Sequence, residues 1–238
     1  MNKFNWSSQF KWLIVVEGLT DIATYRELLI RYGEDKSDFA LFHAEGKPNV
    51  CDTNTWGDLY SIGHNKNLLR VVITQLQRST FEGILLVVDT DTKTKEPFSG
   101  YKRNISLDRY DTKEQLDKPE KCDGFYKLDS LYGKGKIIPI YGVNVPHDSP
   151  GCLETDLLNT LGFPKHSDPE YPCLTDIIKK ASKKWGISEW WKDNTEARFD
   201  KFIYIAFSSG FQSRNLKYKI NLPNEPSVIT NIKKAINQ

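Results

Sequence analysis

The chain has 238 residues, with 33 Lys and Arg against 31 Asp and Glu and a formal net charge of +2. The hydrophobic share is 39%, including 6 Trp, 11 Tyr and 12 Phe, which is enough to bury a core and excludes disorder of the whole chain. No apolar run approaches the roughly 18 residues that a membrane-spanning helix needs.

The first predicted element is a strand. Trp12-Leu-Ile-Val-Val16 is a continuous apolar run, as in a sheet covered on both faces. Glu17-Gly18-Leu19-Thr20 reads as a turn, with Thr20 as the N-cap of a helix. Ile22, Tyr25, Leu28, Leu29 and Tyr32 then recur at helical spacing, and Gly33 is a natural stop. Phe39 to His43 reads as a second strand. Residues 45–63 are rich in Gly, Asn, Asp, Pro and Thr and read as loop. A helix is expected from Lys66 to Arg78. The clearest strand is Gly83-Ile-Leu-Leu-Val-Val88, which runs into Asp89-Thr90-Asp91.

Residues 92–135 are polar and break this rhythm. They read as an insertion with a hairpin around Gly124 to Leu131. Lys136-Ile-Ile-Pro-Ile140 reads as a further strand. Pro139 cannot donate to a ladder, so this strand is expected at an edge, or its pairing to stop there. Pro150-Gly151 leads into a short helix marked by Leu153, Leu157, Leu158 and Leu161. Helices are also expected over 172–185, 196–209 and 226–236. The alternation predicts an α/β fold, a mainly parallel sheet with helices on both faces, in one domain spanning 1–238. Its core covers about 11–91 and 136–207, and its C-terminal part, from about 170, is helical and basic.

Charge is unevenly spread. Lys179 to Gln238 carries 12 Lys and Arg against 5 Asp and Glu, and the rest of the chain 21 against 26. The basic end suits an anionic partner, and it equally suits solvated helix faces. Cys51, Cys122, Cys152 and Cys173 form no CxxC pair and read as free buried thiols. His43, His64, His147 and His166 form no metal-binding pair, so a zinc enzyme is not expected. The opening residues hold no apolar h-region, so no secretory leader is expected and a cytoplasmic location is.

In open parallel sheets, ligands bind at the carboxyl ends of strands. Glu17 follows the first strand and Asp21 stands one helical turn later. Asp89 and Asp91 follow the 83–88 strand. Glu154 and Asp156 follow the 136–140 strand and its Pro-Gly turn. Neighbouring strands lie about 5 Å apart, so their terminal carboxylates are within bridging reach of one ion. Two carboxylates at that distance repel by about 3 kcal/mol at an effective dielectric near 20. A cluster therefore takes up protons or holds a cation. All-oxygen ligation favours Mg²⁺ or Mn²⁺, engaging phosphate oxygens. Taken singly, each piece has a plain structural alternative. Asp-x-Asp after a strand is turn chemistry, a lone Glu is a surface ion-pair partner, and acids opening a helix favour its dipole.

The order strand-Glu17-x-x-x-Asp21, strand-Asp89-x-Asp91, then Gly151-Cys-Leu-Glu154 resembles the TOPRIM superfamily. It is nearest to the TOPRIM domains of OLD-type nucleases and to small standalone bacterial TOPRIM-like proteins. The resemblance covers roughly residues 11–91 and 136–207. It implies that Glu17, Asp21, Asp89, Asp91 and Glu154 bind one or two divalent ions, Mg²⁺ or Mn²⁺. Lys201, in Phe199-Asp-Lys-Phe-Ile-Tyr-Ile-Ala206, would offset charge on a transition state, although an ion pair with Asp200 or Glu196 explains it equally well. The implied activity is phosphodiester hydrolysis of DNA or RNA. OLD proteins carry or recruit an ATPase, but this chain has no Gly-x-x-x-x-Gly-Lys-Ser/Thr, so nucleotide control would need a partner ATPase. A homodimer is compatible with the family, and a role in phage defence is carried by the resemblance alone.

Lys179, Lys180, Lys183 and Lys184, interleaved with Trp185, Trp190 and Trp191, could hold a nucleic-acid backbone and stack bases. The same stretch also reads as an amphipathic helix with its tryptophans in the core. A rival to the nuclease is a non-catalytic TOPRIM-like module that binds metal and nucleotide or docks on a partner. A topoisomerase needs large further domains, and a primase is less favoured because no zinc module accompanies the pattern.

Overall fold

The computed structural model describes residues 10–17, 19–32, 39–43, 80–90, 97–98, 119–133, 135–165, 167–185, 200 and 222–238. The helix expected over 66–78 and nearly all of the one over 196–209 lie outside these residues. In chain order the elements are β1 (Trp12–Val16), α1 (Leu19–Arg31), β2 (Phe39–His43), β3 (Gly83–Asp89), β4 (Glu120–Lys121), β5 (Tyr126–Gly133), β6 (Lys136–Val145), α2 (Leu153–Thr160), α3 (Glu170–Trp185) and α4 (Ser227–Ile236). The expected α/β class is observed. The chain divides into two compact units. One comprises 1–88, 95–144 and 229–238, and the other comprises 89–94 and 145–228. Among the described residues no helix is long and apolar enough to cross a membrane.

The first unit is built on a six-stranded mixed sheet in the order β2-β1-β3-β6-β5-β4. β1 runs parallel to both β2 and β3, with Leu13 opposite Ala40 and Ile84. Every residue of β1 is buried, and so are the first six of β3. This is why both read as unbroken apolar runs: neither face meets water. One face carries Leu13, Val15, Ile84, Leu86, Val88, Ile138 and Ile140 in a single core with Phe10, Phe81 and Phe98. On the opposite face Trp12 stacks on Tyr141 at 5.9 Å, and Phe125 meets Tyr141 edge-on at 5.3 Å. α1 buries Tyr25, Leu28 and Leu29. It begins at Leu19, so Thr20 stands inside its first turn and not ahead of it. α4 buries Val228, Ile229, Ile232 and Ala235 at helical spacing. Lys233 Nζ of α4 donates to the Tyr32 carbonyl just past α1, at 2.8 Å.

One expectation is met and one needs correction. The hairpin expected around Gly124 to Leu131 is found in β4 and β5, which pair antiparallel and extend the sheet. β5 carries a bulge between Lys127 and Asp129, which puts two of its residues against one of β6. Beyond it the alternation changes phase, so Tyr126 and Leu131 face the same core from opposite Gly142 and Ile138. A strict period-2 reading misses such a strand. β4 closes this edge with only two residues, both charged and exposed, which discourages further pairing.

Pro139, in turn, does not place its strand at an edge. β6 lies between β3 and β5, and it continues to Val145. The missing N–H forfeits one ladder bond, about 1 kcal/mol. Burial of Ile138, Ile140, Val143 and Val145 contributes about 1.5–3 kcal/mol for each side chain and prevails.

Gly83 faces the ring of Trp12, and any Cβ at Gly83 would collide with it. Gly83→Ala should therefore destabilise the chain by about 1–3 kcal/mol through overpacking. The urea midpoint should fall with the slope unchanged.

Candidate functional site

β3 ends at Asp89, which is half-buried. Its Oδ1 accepts the Leu153 N–H, the first of α2, at 2.9 Å. The next residue anchors the same strand end to the chain after β6. The Thr90 N–H donates to the Val145 carbonyl at 2.8 Å, and the Thr90 hydroxyl donates to the Pro146 carbonyl at 2.6 Å. Asp89-Thr90 thus ties the end of one strand to a helix start and to a neighbouring strand end. All of these groups belong to the second unit.

The start of α2 is held by a chain of hydroxyls. Gly151 has φ +143°, and a Cβ there would press on the Thr155 side chain, so only glycine fits. Cys152 is extended and takes the N-cap position. Its backbone N–H donates to Thr155 Oγ1 at 3.0 Å. Thr155 therefore plays the part that Glu or Gln takes in a capping box. The Thr155 hydroxyl in turn donates to Asp200 Oδ2 at 2.6 Å, and the Tyr171 hydroxyl of α3 donates to Asp200 Oδ1 at 2.8 Å. Asp200 is 2% exposed.

Cys152 is buried, and its thiol is pushed well above the usual range. Burial is the largest cause, followed by the negative charges of Glu154 and Asp89. A protonated, buried thiol is a poor nucleophile and a poor metal ligand. Its surroundings are more informative than its chemistry: the Asp89 and Glu154 carboxylates both act on one point at the start of α2.

Asp156, also in the first turn of α2, has a different role. It is 4% exposed, and it accepts the Ser227 hydroxyl at 2.5 Å and the Val228 N–H at 2.9 Å. It thereby caps α4 from another helix. Burial raises its pKa, and the Ser227 and Val228 bonds pull it part of the way back.

The residues named from the sequence are distributed as follows. Glu17 directly follows β1 and is half-buried, and Asp21 stands in the first turn of α1. Both belong to the first unit, while Asp89 and Glu154 belong to the second. Asp91 and Lys201 lie outside the described residues, as do Trp190 and Trp191. Lys179, Lys180 and Lys184 are exposed along α3, in the helix that also contains Lys183. Cys122, Cys152 and Cys173 are free thiols, but only Cys152 is buried; Cys173 is exposed on α3. Among the described residues no group of three or more His, Cys, Asp or Glu could hold a metal ion. Sequence reading passed over Thr155, Tyr171 and the structural use of Asp156 and Asp200, because their partners are remote in the chain. No family model, no curated protein and no solved structure matches the chain.

Asp156 generates a pH-dependent prediction. Its folded-state pKa is raised, so between the unfolded and folded values the native state binds more protons. The stability it contributes is fully present below the unfolded value and is lost as pH rises through the folded one. Asp156→Asn removes this titration, so its stability relative to the parent should improve as pH rises through the acidic range. Asp156→Ala should cost about 1–2 kcal/mol at acidic pH, because it uncaps α4, and less as pH rises. Denaturant midpoints measured between acidic and neutral pH check both outcomes.

Proposed function

We propose that the chain is a TOPRIM-like, Mg²⁺- or Mn²⁺-dependent phosphodiesterase that acts on nucleic acid. The observation that carries the reading is the fixed end of β3. There Asp89 is held against the start of α2, and Glu154 stands in the first turn of that same helix. In this reading Glu17, Asp21, Asp89, Asp91 and Glu154 supply the metal's oxygen ligands. The ion would activate water and stabilise charge on the attacking and leaving oxygens. Lys201 would neutralise charge on the phosphoryl group. Lys179, Lys180, Lys183 and Lys184 of α3 would hold the backbone of the strand being cut.

The chain's own contribution is placement. The Leu153 N–H fixes one oxygen of Asp89, and the Thr155 hydroxyl fixes the turn that presents Glu154. Phosphoryl transfer depends chiefly on positioning and charge neutralisation, so pre-set carboxylates suit it.

A non-catalytic module is the second reading. It is favoured by the structural use of Asp89, whose Oδ1 already caps α2. The two readings separate in one assay. The purified chain should nick supercoiled plasmid with Mg²⁺ or Mn²⁺ and stop on addition of a chelator. Asp89→Asn should slow nicking by roughly 100-fold or more, the scale of losing one charge-stabilising group from a transition state. Metal binding by calorimetry without cleavage of DNA, RNA or nucleotide establishes the module instead.

A further inference from the structure

We propose that Asp200 is a positioning residue for this site, acting through Thr155 to hold the start of α2 where Asp89 can grip it. The inference rests on the reading of Asp89 and Glu154 as site carboxylates. It deepens that reading by assigning a role to a residue that resemblance and spacing left as an ion-pair partner.

The bonds form one continuous path. Asp200 Oδ2 accepts the Thr155 hydroxyl at 2.6 Å, which commits that hydroxyl's proton to Asp200. The lone pairs of Thr155 Oγ1 are then directed at the Cys152 N–H, 3.0 Å away. Cys152 is thereby fixed as N-cap, and the following N–H, that of Leu153, points at Asp89 Oδ1 at 2.9 Å. The other oxygen of Asp200 is engaged by Tyr171 at 2.8 Å, so the carboxylate cannot swing away from Thr155 without breaking a second bond. Thr155 and Asp200 are 4% and 2% exposed, so water does not substitute readily for either. A hydroxyl can donate only one proton, and here the acceptor that receives it determines what the oxygen can accept. Asp200 is therefore the group that sets the direction of the whole path. It touches neither substrate nor metal in this scheme. Its effect is transmitted to Asp89 and Glu154 through the helix start.

Two readouts test this, one of them independent of catalysis. In a chain carrying Cys51→Ser, Cys122→Ser and Cys173→Ser, Cys152 is the single thiol and reports on the start of α2. It should react slowly with a disulfide reagent in the folded parent. Asp200→Asn and Thr155→Val should raise that rate by about 10-fold or more, and Thr155→Ser, which keeps the hydroxyl, should behave as the parent. Plasmid nicking at saturating Mn²⁺ should fall by about 10- to 100-fold in the first two variants, the usual scale for groups that orient metal ligands, and be retained with serine. If Asp200→Asn does not fold, Tyr171→Phe, which releases the other Asp200 oxygen, should raise the thiol rate in the same direction, and a parental rate there overturns the proposal.

The proposal is overturned if Thr155→Val and Asp200→Asn leave both the thiol rate and nicking at parental values. It is equally overturned if serine fails to rescue what valine loses. A parent that never nicks DNA or RNA defeats the phosphodiesterase reading, while the thiol rates still decide the role of Asp200.

Discussion

A carboxylate taken out of water must be met by donors, and this constraint organises the second unit. Asp89, Asp156 and Asp200 each accept N–H or O–H groups from elements distant in sequence. Bonds to a charged acceptor contribute about 1.5–3 kcal/mol, roughly twice a neutral bond. Asp89 and Asp156 also satisfy groups that helix geometry leaves without a partner, the first N–H groups of α2 and α4, while Asp200 accepts two hydroxyls. Burying Asp156 and Asp200 is costly, and burial raises the pKa of Asp156. Helix starts and strand ends are thereby fixed by direction as well as by apolar contact.

The sheet is governed by a different balance. β1 and β3 are apolar throughout because both faces are covered, and this made them legible at once. α1, β2, α3 and α4 were legible too, from local spacing that survives folding unchanged. β4 and β5 were harder. The bulge at Lys127/Asp129 resets the alternation midway, and no short window reveals where a bulge falls. Pro139 misled because a local rule about one missing donor was weighed without the burial that β6 gains from lying between two strands.

Part of the candidate site could be named for the same reason as the sheet. A strand that ends in an acid and a helix that opens with one can be seen in sequence order, and Asp89, Glu154 and Asp156 were named that way. The bonds of Asp156 and Asp200 could not be. Asp156 sits two residues after Glu154, so both fall in the first turn of α2, where spacing and dipole arguments treat them alike. Yet Asp156 is 71 residues from Ser227, whose hydroxyl it receives. Asp200 lies 45 residues from Thr155 and 29 from Tyr171. Such pairings depend on tertiary placement, and no periodicity encodes them.

Asp89 brings the structural and chemical readings onto one side chain. A carboxylate offers two oxygens and about four acceptor sites. The Leu153 N–H uses one of these, at 2.9 Å, and fixes the plane of the group. In the proposed site this bond and an ion would share one carboxylate. The N–H bond removes rotational freedom from the carboxylate. An amide at this position retains a carbonyl oxygen for the Leu153 N–H and loses only the charge, whereas alanine removes both. The difference between those two substitutions separates what Asp89 does for the fold from what it does for chemistry.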